Sequence, residues 1–243
     1  NFIWTAENYD YWPRGRRSGV HRCVSIRVLY FSGQVSDVFD HASRGPYTTH
    51  MIIVGLGNPG EKYVNTRHNA GEVVLRRLAK YFEADDFVTH KHAEIALGKI
   101  GKEKTSFVFP TTFMNDSGKA VKPLVTSKKD LAKLIVIQDE LDLPVGRMKC
   151  SFGKNSGGHR GIESIIQTLK SKEFFRVRVG ISPGTPSGKL KKPSGEKAVL
   201  SLILGKFKPS EETILAKQSK KVAETLEILA TKGKEAAMSF GNS

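Results

Sequence analysis

The stretch Met51-Ile-Ile-Val-Gly-Leu-Gly-Asn-Pro-Gly60 decides the fold. Its first residues are apolar and mostly β-branched, and glycine and proline follow at once, which is the pattern of a buried strand that ends in a tight turn. The next helical pattern covers residues 69–82. We therefore predict a buried strand with Asn58 at its carboxyl end, the edge at which open α/β sheets bind ligands.

The same glycines match the dinucleotide-binding pattern G-x-G-x-x-G from Gly55 to Gly60. That pattern binds a pyrophosphate only where a helix opens directly at the glycines. Here Pro59 and residues 61–68 separate the glycines from the next helical pattern. A nicotinamide-dependent oxidoreductase is therefore a disfavoured alternative.

Strand-like and helical patterns alternate along the rest of the chain. Strand patterns cover residues 134–137, 145–152 and 175–181, and a hairpin across Gly101 is predicted from residues 95–100 and 105–109. Helical periodicity covers residues 116–125 and 161–170, and residues 210–240 are mostly a basic amphipathic helix. This alternation predicts a single-domain α/β fold with a mixed, mostly parallel twisted sheet and helices on both faces.

The composition favours a polyanionic partner. The 243 residues contain 39 Lys and Arg against 24 Asp and Glu, which gives a formal net charge of +15. Such an excess favours nucleic acid first and an anionic membrane second, with simple solubility as the plain alternative. No apolar run reaches the roughly 18 residues of a membrane-spanning helix. Two cysteines fit neither a disulfide framework nor a metal site, so we expect a reducing, cytoplasmic location.

Residues 1–50 differ from the rest of the chain. They carry a formal net charge of only +2, are rich in aromatic residues, and hold one short strand-like stretch at residues 24–31. Their arginines would suit a transit peptide, but the interleaved acidic residues do not. We expect residues 1–50 to be a poorly structured leader, non-native or an over-extended reading frame, and residues 51–243 to form the functional domain.

Two polar clusters at predicted strand ends suit proton transfer. His68 lies in Thr66-Arg-His-Asn-Ala-Gly71, just before a helix, and Asp139 follows a buried strand. A neutral imidazole can take a proton from water near pH 7, and a carboxylate can fix its tautomer and stabilise the imidazolium. We hypothesise that His68 and Asp139 form such a pair. The alternatives are that His68 only packs and that Asp139 only shapes a turn or caps a helix.

Two further clusters are polar loops that lead into helices, at residues 110–118 and 153–161. Their backbone N–H groups are available to bind anions or carbonyl groups. The alternatives are that Asn115 only caps the next helix and that the glycines only permit positive φ angles.

Five segments, in this order, resemble the sequence blocks of bacterial-type peptidyl-tRNA hydrolase. They are Val54-Gly-Leu-Gly-Asn-Pro-Gly60, Tyr63 with Thr66-Arg-His-Asn-Ala-Gly71, Pro110-Thr-Thr-Phe-Met-Asn115, Asp139-Glu-Leu-Asp-Leu-Pro144 and Gly158-His-Arg-Gly161. The resemblance extends from Met51 to about Phe240, so it covers nearly the whole chain apart from the expected leader.

The resemblance implies hydrolysis of the ester between peptide and tRNA in peptidyl-tRNA, which recycles tRNA during translation, without metal or cofactor. By the family pattern His68 is the general base and Asp139 orients it. The residues implied to bind substrate are Asn58, Tyr63, Met114, Asn115, His159 and Arg160. The residues implied to bind tRNA are Lys149, Lys154, Arg176 and Arg178, for which solvated surface charge is the alternative. We expect a cytoplasmic monomer that binds the acceptor stem and 3′ end, with no membrane partner.

Arg160 departs from the family pattern, which has asparagine at this position. A guanidinium group donates hydrogen bonds only and stays charged, so Arg160 cannot accept a hydrogen bond from an attacking water. This departure is the one feature that favours the competing class, a non-catalytic RNA-binding protein on the same fold. A lysine-rich loop is also expected to lie over the acceptor stem. Its lysines are Lys189, Lys191, Lys192 and Lys197.

Overall fold

The computed structural model describes residues 50–184, 190 and 193–243. Residues 1–49, with the strand expected at residues 24–31, lie outside the described residues, as do Lys189, Lys191 and Lys192. The described residues form one seven-stranded sheet with helices packed on both faces, so the predicted α/β class is confirmed.

The elements alternate between strands and helices along the described chain. The strands are β1 His50–Gly55, β2 Val88–Thr89, β3 Ala93–Ile100, β4 Glu103–Pro110, β5 Leu134–Pro144, β6 Met148–Phe152 and β7 Phe175–Ser182. The α-helices are α1 Ala70–Tyr81, α2 Ser117–Val121, α3 Lys128–Ala132, α4 Arg160–Leu169, α5 Glu196–Leu204, α6 Pro209–Lys232 and α7 Lys234–Asn242. Single-turn 3₁₀ helices cover Glu61–Tyr63, Arg67–Asn69, Met114–Asp116 and Lys122–Leu124.

The sheet has the strand order β2-β3-β4-β1-β5-β7-β6. The four strands β4, β1, β5 and β7 run parallel, whereas β3 and β6 run against their neighbours at the two sides. The predicted hairpin is the β3–β4 pair. In the register of β1 and β5, Gly55 lies opposite Ile137, so the residues that follow Gly55 lie beside Gln138 and Asp139.

The two faces of the sheet hold separate hydrophobic cores. Side chains of β1 alternate, with Met51 and Ile53 facing α1, α6 and α7, and Ile52 and Val54 facing α2 and α4. This alternation is the period of two expected for a strand. Because helices cover both faces of the sheet, β1 is a continuous apolar run in the sequence.

Two predicted helices are interrupted in the structure. Residues 210–240 are mostly helical, as predicted, but they form two helices. Helix α6 ends at Lys232, Gly233 has a φ of 86° in the left-handed region that glycine favours, and α7 follows. The helix predicted over residues 116–125 has α-helical geometry only in α2 and continues as a 3₁₀ turn that contains Pro123, which lacks the N–H that an α-helix requires. Helix α5 was not predicted.

Two glycines let α1 begin in direct contact with the carboxyl ends of β1 and β5. A Cβ atom on Gly71 would lie 2.4 Å from the carbonyl oxygen of Ile137 and 2.6 Å from the amide nitrogen of Leu56. A Cβ atom on Gly55 would lie 2.5 Å from the carbonyl oxygen of Gly71. This close approach holds the turn before α1, which carries His68, against the end of the sheet.

We expect Gly71→Ala to destabilise the protein by about 1–3 kcal/mol, the usual cost of overpacking. The added methyl group meets main-chain atoms of Ile137 and Leu56 rather than a movable side chain, so the better helix propensity of alanine cannot compensate. The measurement is the free energy of unfolding in urea. The control is Gln167→Ala, an exposed position in α4. A Gly71→Ala protein as stable as the control would show that α1 can move away from the sheet without cost.

Candidate active site

A cleft of about 410 Å³ lies at the carboxyl edge of the parallel strands. Its lining brings together all the predicted catalytic and substrate-binding residues, which come from segments far apart in the sequence. These residues are Asn58, Tyr63, His68, Met114, Asn115, Asp139, His159 and Arg160.

His68 and Asp139 form a hydrogen-bonded pair at the base of the cleft. His68 lies on the 3₁₀ turn Arg67–Asn69, and its Nδ1 lies 3.1 Å from Oδ1 and 3.0 Å from Oδ2 of Asp139. An ionised carboxylate only accepts hydrogen bonds, so Nδ1 carries the proton and donates it. The neutral ring therefore keeps its lone pair on Nε2, the tautomer that a general base needs.

His159 is a second histidine on the same carboxylate. Its Nε2 donates to Oδ1 of Asp139 at 2.7 Å, and its Nδ1 accepts the backbone N–H of Ile162 at 3.3 Å. The backbone N–H thus fixes the His159 tautomer with its proton on Nε2. Asp139 is 5% exposed and accepts hydrogen bonds from both imidazole rings.

Burial and neighbouring charges shift the pKa values of Asp139 and His68 in opposite directions. Burial alone raises the pKa of Asp139, but the charges of His68 and His159 and their hydrogen bonds outweigh it and hold that pKa well below the ordinary value. Burial alone lowers the pKa of His68, but the carboxylate of Asp139 outweighs it, so the pKa is raised above 6.5. The charge of Arg160 acts against this rise in the pKa of His68.

The two histidines and Asp139 also have the composition of a metal site, with ligand atoms within 4.8 Å of one another. The hydrogen bonds to Asp139 argue against a metal site. The nitrogen atoms that would face the ion, Nδ1 of His68 and Nε2 of His159, both carry protons. A metal on Nε2 of His159 would move the ring proton to Nδ1, which already faces the N–H of Ile162. The donor set therefore fits a proton-transfer network better than a metal site.

Asn58 is held so that its amide group faces the cleft. Its backbone N–H donates to Oδ1 of Asn69 at 2.9 Å, and its carbonyl accepts from Nδ2 of Asn69 at 2.9 Å. Its own Oδ1 accepts the N–H of Met114 at 2.8 Å, which leaves Nδ2 as the group that can donate to a substrate. Asn69 occupies the N-cap position of α1 but makes no side-chain capping bond, so its role is to position Asn58.

The turn that carries His68 is anchored by its neighbour Arg67. The guanidinium group of Arg67 donates to the carbonyl of Ile181 at 2.9 Å and to both carboxylate oxygens of Glu211, and it stacks on Phe207. Its backbone N–H donates to the carbonyl of Gly205. Arg67 was not among the predicted site residues, because only the fold brings β7 and α6 next to this turn.

The remaining predicted substrate residues differ in exposure. Asn115 is exposed on the turn Met114–Asp116, and Asp116 rather than Asn115 takes the N-cap position of α2, so capping does not explain Asn115. Met114 is only 3% exposed. Arg160 is exposed at the first position of α4.

A second cleft, of about 710 Å³, adjoins the first and shares lining residues such as Ser156 and Gly157 with it. Its basic lining residues are Lys149, Lys154, Arg176 and Arg178, all predicted, and Lys234, which was not predicted. Both arginines in this lining donate hydrogen bonds to other residues of the protein. Arg176 is 4% exposed and donates to the carbonyl of Asn155, and Arg178 donates to Glu140 at 2.6 Å. The exposed charged residues in its lining are three lysines, Lys149, Lys154 and Lys234, and two acids, Asp142 and Glu235.

A histidine–carboxylate pair in a cleft at the carboxyl edge of a mixed α/β sheet is an arrangement suited to an enzyme that uses general-base chemistry. Residues 52–243 match the family model described as peptidyl-tRNA hydrolase. The chain belongs to the peptidyl-tRNA hydrolase family. Within the part of the chain that the structure describes, every helix is too short or too polar to cross a bilayer.

Individual relatives agree with this assignment. A peptidyl-tRNA hydrolase of Syntrophomonas wolfei is 38% identical over 192 residues, which cover 79% of this chain and 99% of the relative. That of Limosilactobacillus reuteri is 43% identical over 162 residues, 66% of this chain and 82% of the relative. The crystal structure of peptidyl-tRNA hydrolase from Acinetobacter baumannii superposes with a TM-score of 0.70 at 27% identity and covers 80% of this chain and 95% of its own.

We expect Glu211→Leu to destabilise the protein by about 3–5 kcal/mol, because it leaves the buried charge of Arg67 without its partner. Arg67→Met should cost less, because Glu211 is only partly buried. The double variant removes both charges, so it should cost less than the sum of the two single variants. Unfolding in urea measures all three. Lys119→Met, which breaks the exposed Lys119–Asp116 pair, is the control and should cost less than about 1 kcal/mol. Additive effects of the two buried substitutions would contradict the coupling.

Proposed function

We propose that the chain hydrolyses the ester bond of peptidyl-tRNA with His68 as the general base and Asp139 as its orienting partner. Family membership identifies the reaction class and the substrate. The observation that carries the residue roles is the His68–Asp139 pair, since its hydrogen bonds leave Nε2 of His68 as a proton acceptor that faces the cleft.

The chemistry needs only one base and oriented donors. Nε2 of His68 takes a proton from water as the water oxygen attacks the ester carbonyl, and Asp139 stabilises the imidazolium that forms. When the tetrahedral intermediate collapses, His68 returns the proton to the ribose oxygen that leaves. General-base catalysis contributes about 10²–10⁴-fold. Asn58 donates from Nδ2 to the carbonyl oxygen or holds the peptide, together with Asn115, and one oriented donor contributes about 10²–10³-fold.

The second cleft is the proposed site for the acceptor stem and 3′ end of the tRNA. It adjoins the catalytic cleft, and its exposed side chains Lys149, Lys154 and Lys234 present positive charge to a phosphate backbone. Arg176 and Arg178 add to that field while they hold Asn155 and Glu140. All the proposed catalytic and binding residues belong to one chain, which supports action as a monomer. Peptidyl-tRNA is a substrate that arises in translation, which supports a cytoplasmic location.

The competing proposal, a non-catalytic RNA-binding protein, needs no activated base. Such a protein would bind through the basic cleft alone, and the first cleft would have no reason to hold two tautomer-fixed histidines on one buried carboxylate. The geometry around Asp139 therefore favours the enzyme. Arg160 remains the one departure, and its charge acts directly on the proposed base.

His68→Ala should lower the single-turnover rate of peptide release from a purified peptidyl-tRNA by at least about 100-fold, because general-base catalysis is lost. Binding of the tRNA should persist, since the second cleft is untouched. His92→Ala, at a histidine that does not line either cleft, is the control. Turnover near the wild-type level in His68→Ala would refute the role given to His68. If neither the variants nor the wild type released peptide from peptidyl-tRNA, the RNA-binding alternative would be favoured.

The base works in its neutral form. We therefore expect kcat/KM to fall as the pH drops through the pKa of His68, which is raised above 6.5. The charge of Arg160 acts to lower the pKa of His68, so Arg160→Asn should move this acidic limb to higher pH. The measurement is the pH–rate profile of both proteins. Arg160→Lys keeps the charge and should leave the limb in place. An Arg160→Asn profile and affinity identical to the wild type would show that Arg160 is peripheral to the reaction.

A further inference from the structure

Asn69, the residue that positions Asn58, is itself held from the side of helix α1. Its Nδ2 donates to Oε2 of Glu72 at 2.8 Å as well as to the carbonyl of Asn58. Glu72 lies in the first turn of α1, and its backbone N–H donates to the carbonyl of Leu56 at 3.0 Å. A hydrogen bond to a charged acceptor is roughly twice as strong as a neutral one. The Asn69 amide is therefore fixed between the loop that carries Asn58 and the helix.

The loop packs directly on this contact. A Cβ atom on Gly57 would lie 3.0 Å from Cγ of Asn69 and 3.2 Å from Cβ of Glu72. Hardly any free space separates the loop from these two side chains. A change in the rotamer of either side chain must therefore be accommodated by the backbone of residues 57–58, because such close packing transmits displacement.

Arg76 holds Glu72 in the rotamer that reaches Asn69. One turn further along α1, its Nε donates to Oε1 of Glu72 at 2.9 Å, and its Nη2 donates to Oε2 of Glu94 on β3 at 2.8 Å. Arg76 thus binds the carboxylate oxygen that Asn69 leaves free. The side chain of Glu72 is only 15% exposed, so this pair is less screened by water than a surface salt bridge. We name Glu72, Arg76 and Glu94 the α1 network.

The α1 network also supports the second contact of Asn58. The guanidinium group of Arg76 lies 5.2 Å from the ring centroid of Phe109, and β4 ends at the next residue, Pro110. The loop that follows carries Met114, whose N–H donates to Oδ1 of Asn58. The network therefore contacts the end of β4, from which this loop starts, and it contacts the amide that holds the backbone of Asn58.

We propose that Glu72 is a positioning residue for the catalytic step, which acts through Asn69 to hold Nδ2 of Asn58 at the scissile carbonyl. Arg76 supports it. This inference rests on the proposed function, in which Asn58 donates from Nδ2 to the ester carbonyl, and deepens it. Neither Glu72 nor Arg76 lines the catalytic cleft, so both act through other residues rather than on the substrate. Displacement of a catalytic group by about 1 Å can cost about 100-fold in rate, so a distant support can matter to the reaction.

The test is a double-mutant cycle on the single-turnover rate of peptide release from a purified peptidyl-tRNA at saturating enzyme. Glu72→Ala should lower this rate roughly tenfold when Asn58 is present. In the Asn58→Ala background the same substitution should change the rate by less than about twofold, because the donor that Glu72 positions is already absent. A loss of folded protein would instead lower the rate by the same factor in both backgrounds.

A matched ion pair far from the site provides the control. Glu103→Ala breaks the Lys133–Glu103 pair at the amino end of β4, where the Glu103 side chain is 28% exposed. This variant should release peptide within about twofold of the wild-type rate. A tenfold loss in Glu103→Ala would show that any broken ion pair slows the enzyme, and would overturn the specific role of Glu72.

The pH–rate profile separates an effect on Asn58 from an effect on the base. Burial, Asp139 and Arg160 shift the pKa of His68, so the acidic limb should stay in place in Glu72→Ala while the plateau falls. A limb that moves with the substitution would show that Glu72 acts on His68, and would contradict the route through Asn69.

The remaining outcomes separate this inference from the proposed function. An equal loss of rate in both backgrounds, or no loss when Asn58 is present, would overturn the positioning role of Glu72 and leave the hydrolase intact. Wild-type turnover in Asn58→Ala alone would remove the role of Asn58 and this inference with it. If the wild type released no peptide, the proposed function itself would be overturned.

Discussion

The active site depends on one carboxylate that accepts hydrogen bonds from two histidines. Asp139 is buried, and its charge is stable there only because His68 and His159 both donate to it. The same bonds fix the tautomers of both rings and raise the pKa of His68. An isolated buried carboxylate would take up a proton, and His68 would lose the partner that suits it to the proposed role of a base.

This interaction exists because two glycines let helix and sheet approach each other. Gly55 and Gly71 remove the side chains that would separate α1 from β1 and β5, and the turn before α1 then reaches Asp139. Arg67 anchors the same turn to β7 and α6 through Ile181 and Glu211. The proposed base is thus held from both sides by backbone contact and a buried ion pair, which is the rigidity that catalysis requires.

In the proposed function, the two adjoining clefts hold chemically different parts of the substrate. Five Lys and Arg residues line the cleft proposed for the nucleic acid, whereas Arg160 is the one Lys or Arg among the described residues that line the catalytic cleft. His68, the proposed base, lies in the catalytic cleft, where we propose that the ester between the two parts of the substrate binds. We therefore expect charge to orient the substrate as it enters, before any specific contact forms.

Local pattern predicted most of the strands, the longer helices and the polar segments around His68 and Asp139, whereas the family resemblance supplied the other expected site residues. The periodicities of strands and helices, and the chemistry of turns, are properties of neighbouring residues. They therefore predicted the apolar run of β1, the hairpin of β3 and β4, and the polar segments around His68 and Asp139. The break at Gly233 was missed, since a glycine inside a helical pattern is often tolerated. Arg67 and Lys234 acquired their positions only in the folded molecule. Their partners are distant in the sequence, and packing rather than local preference brings them together.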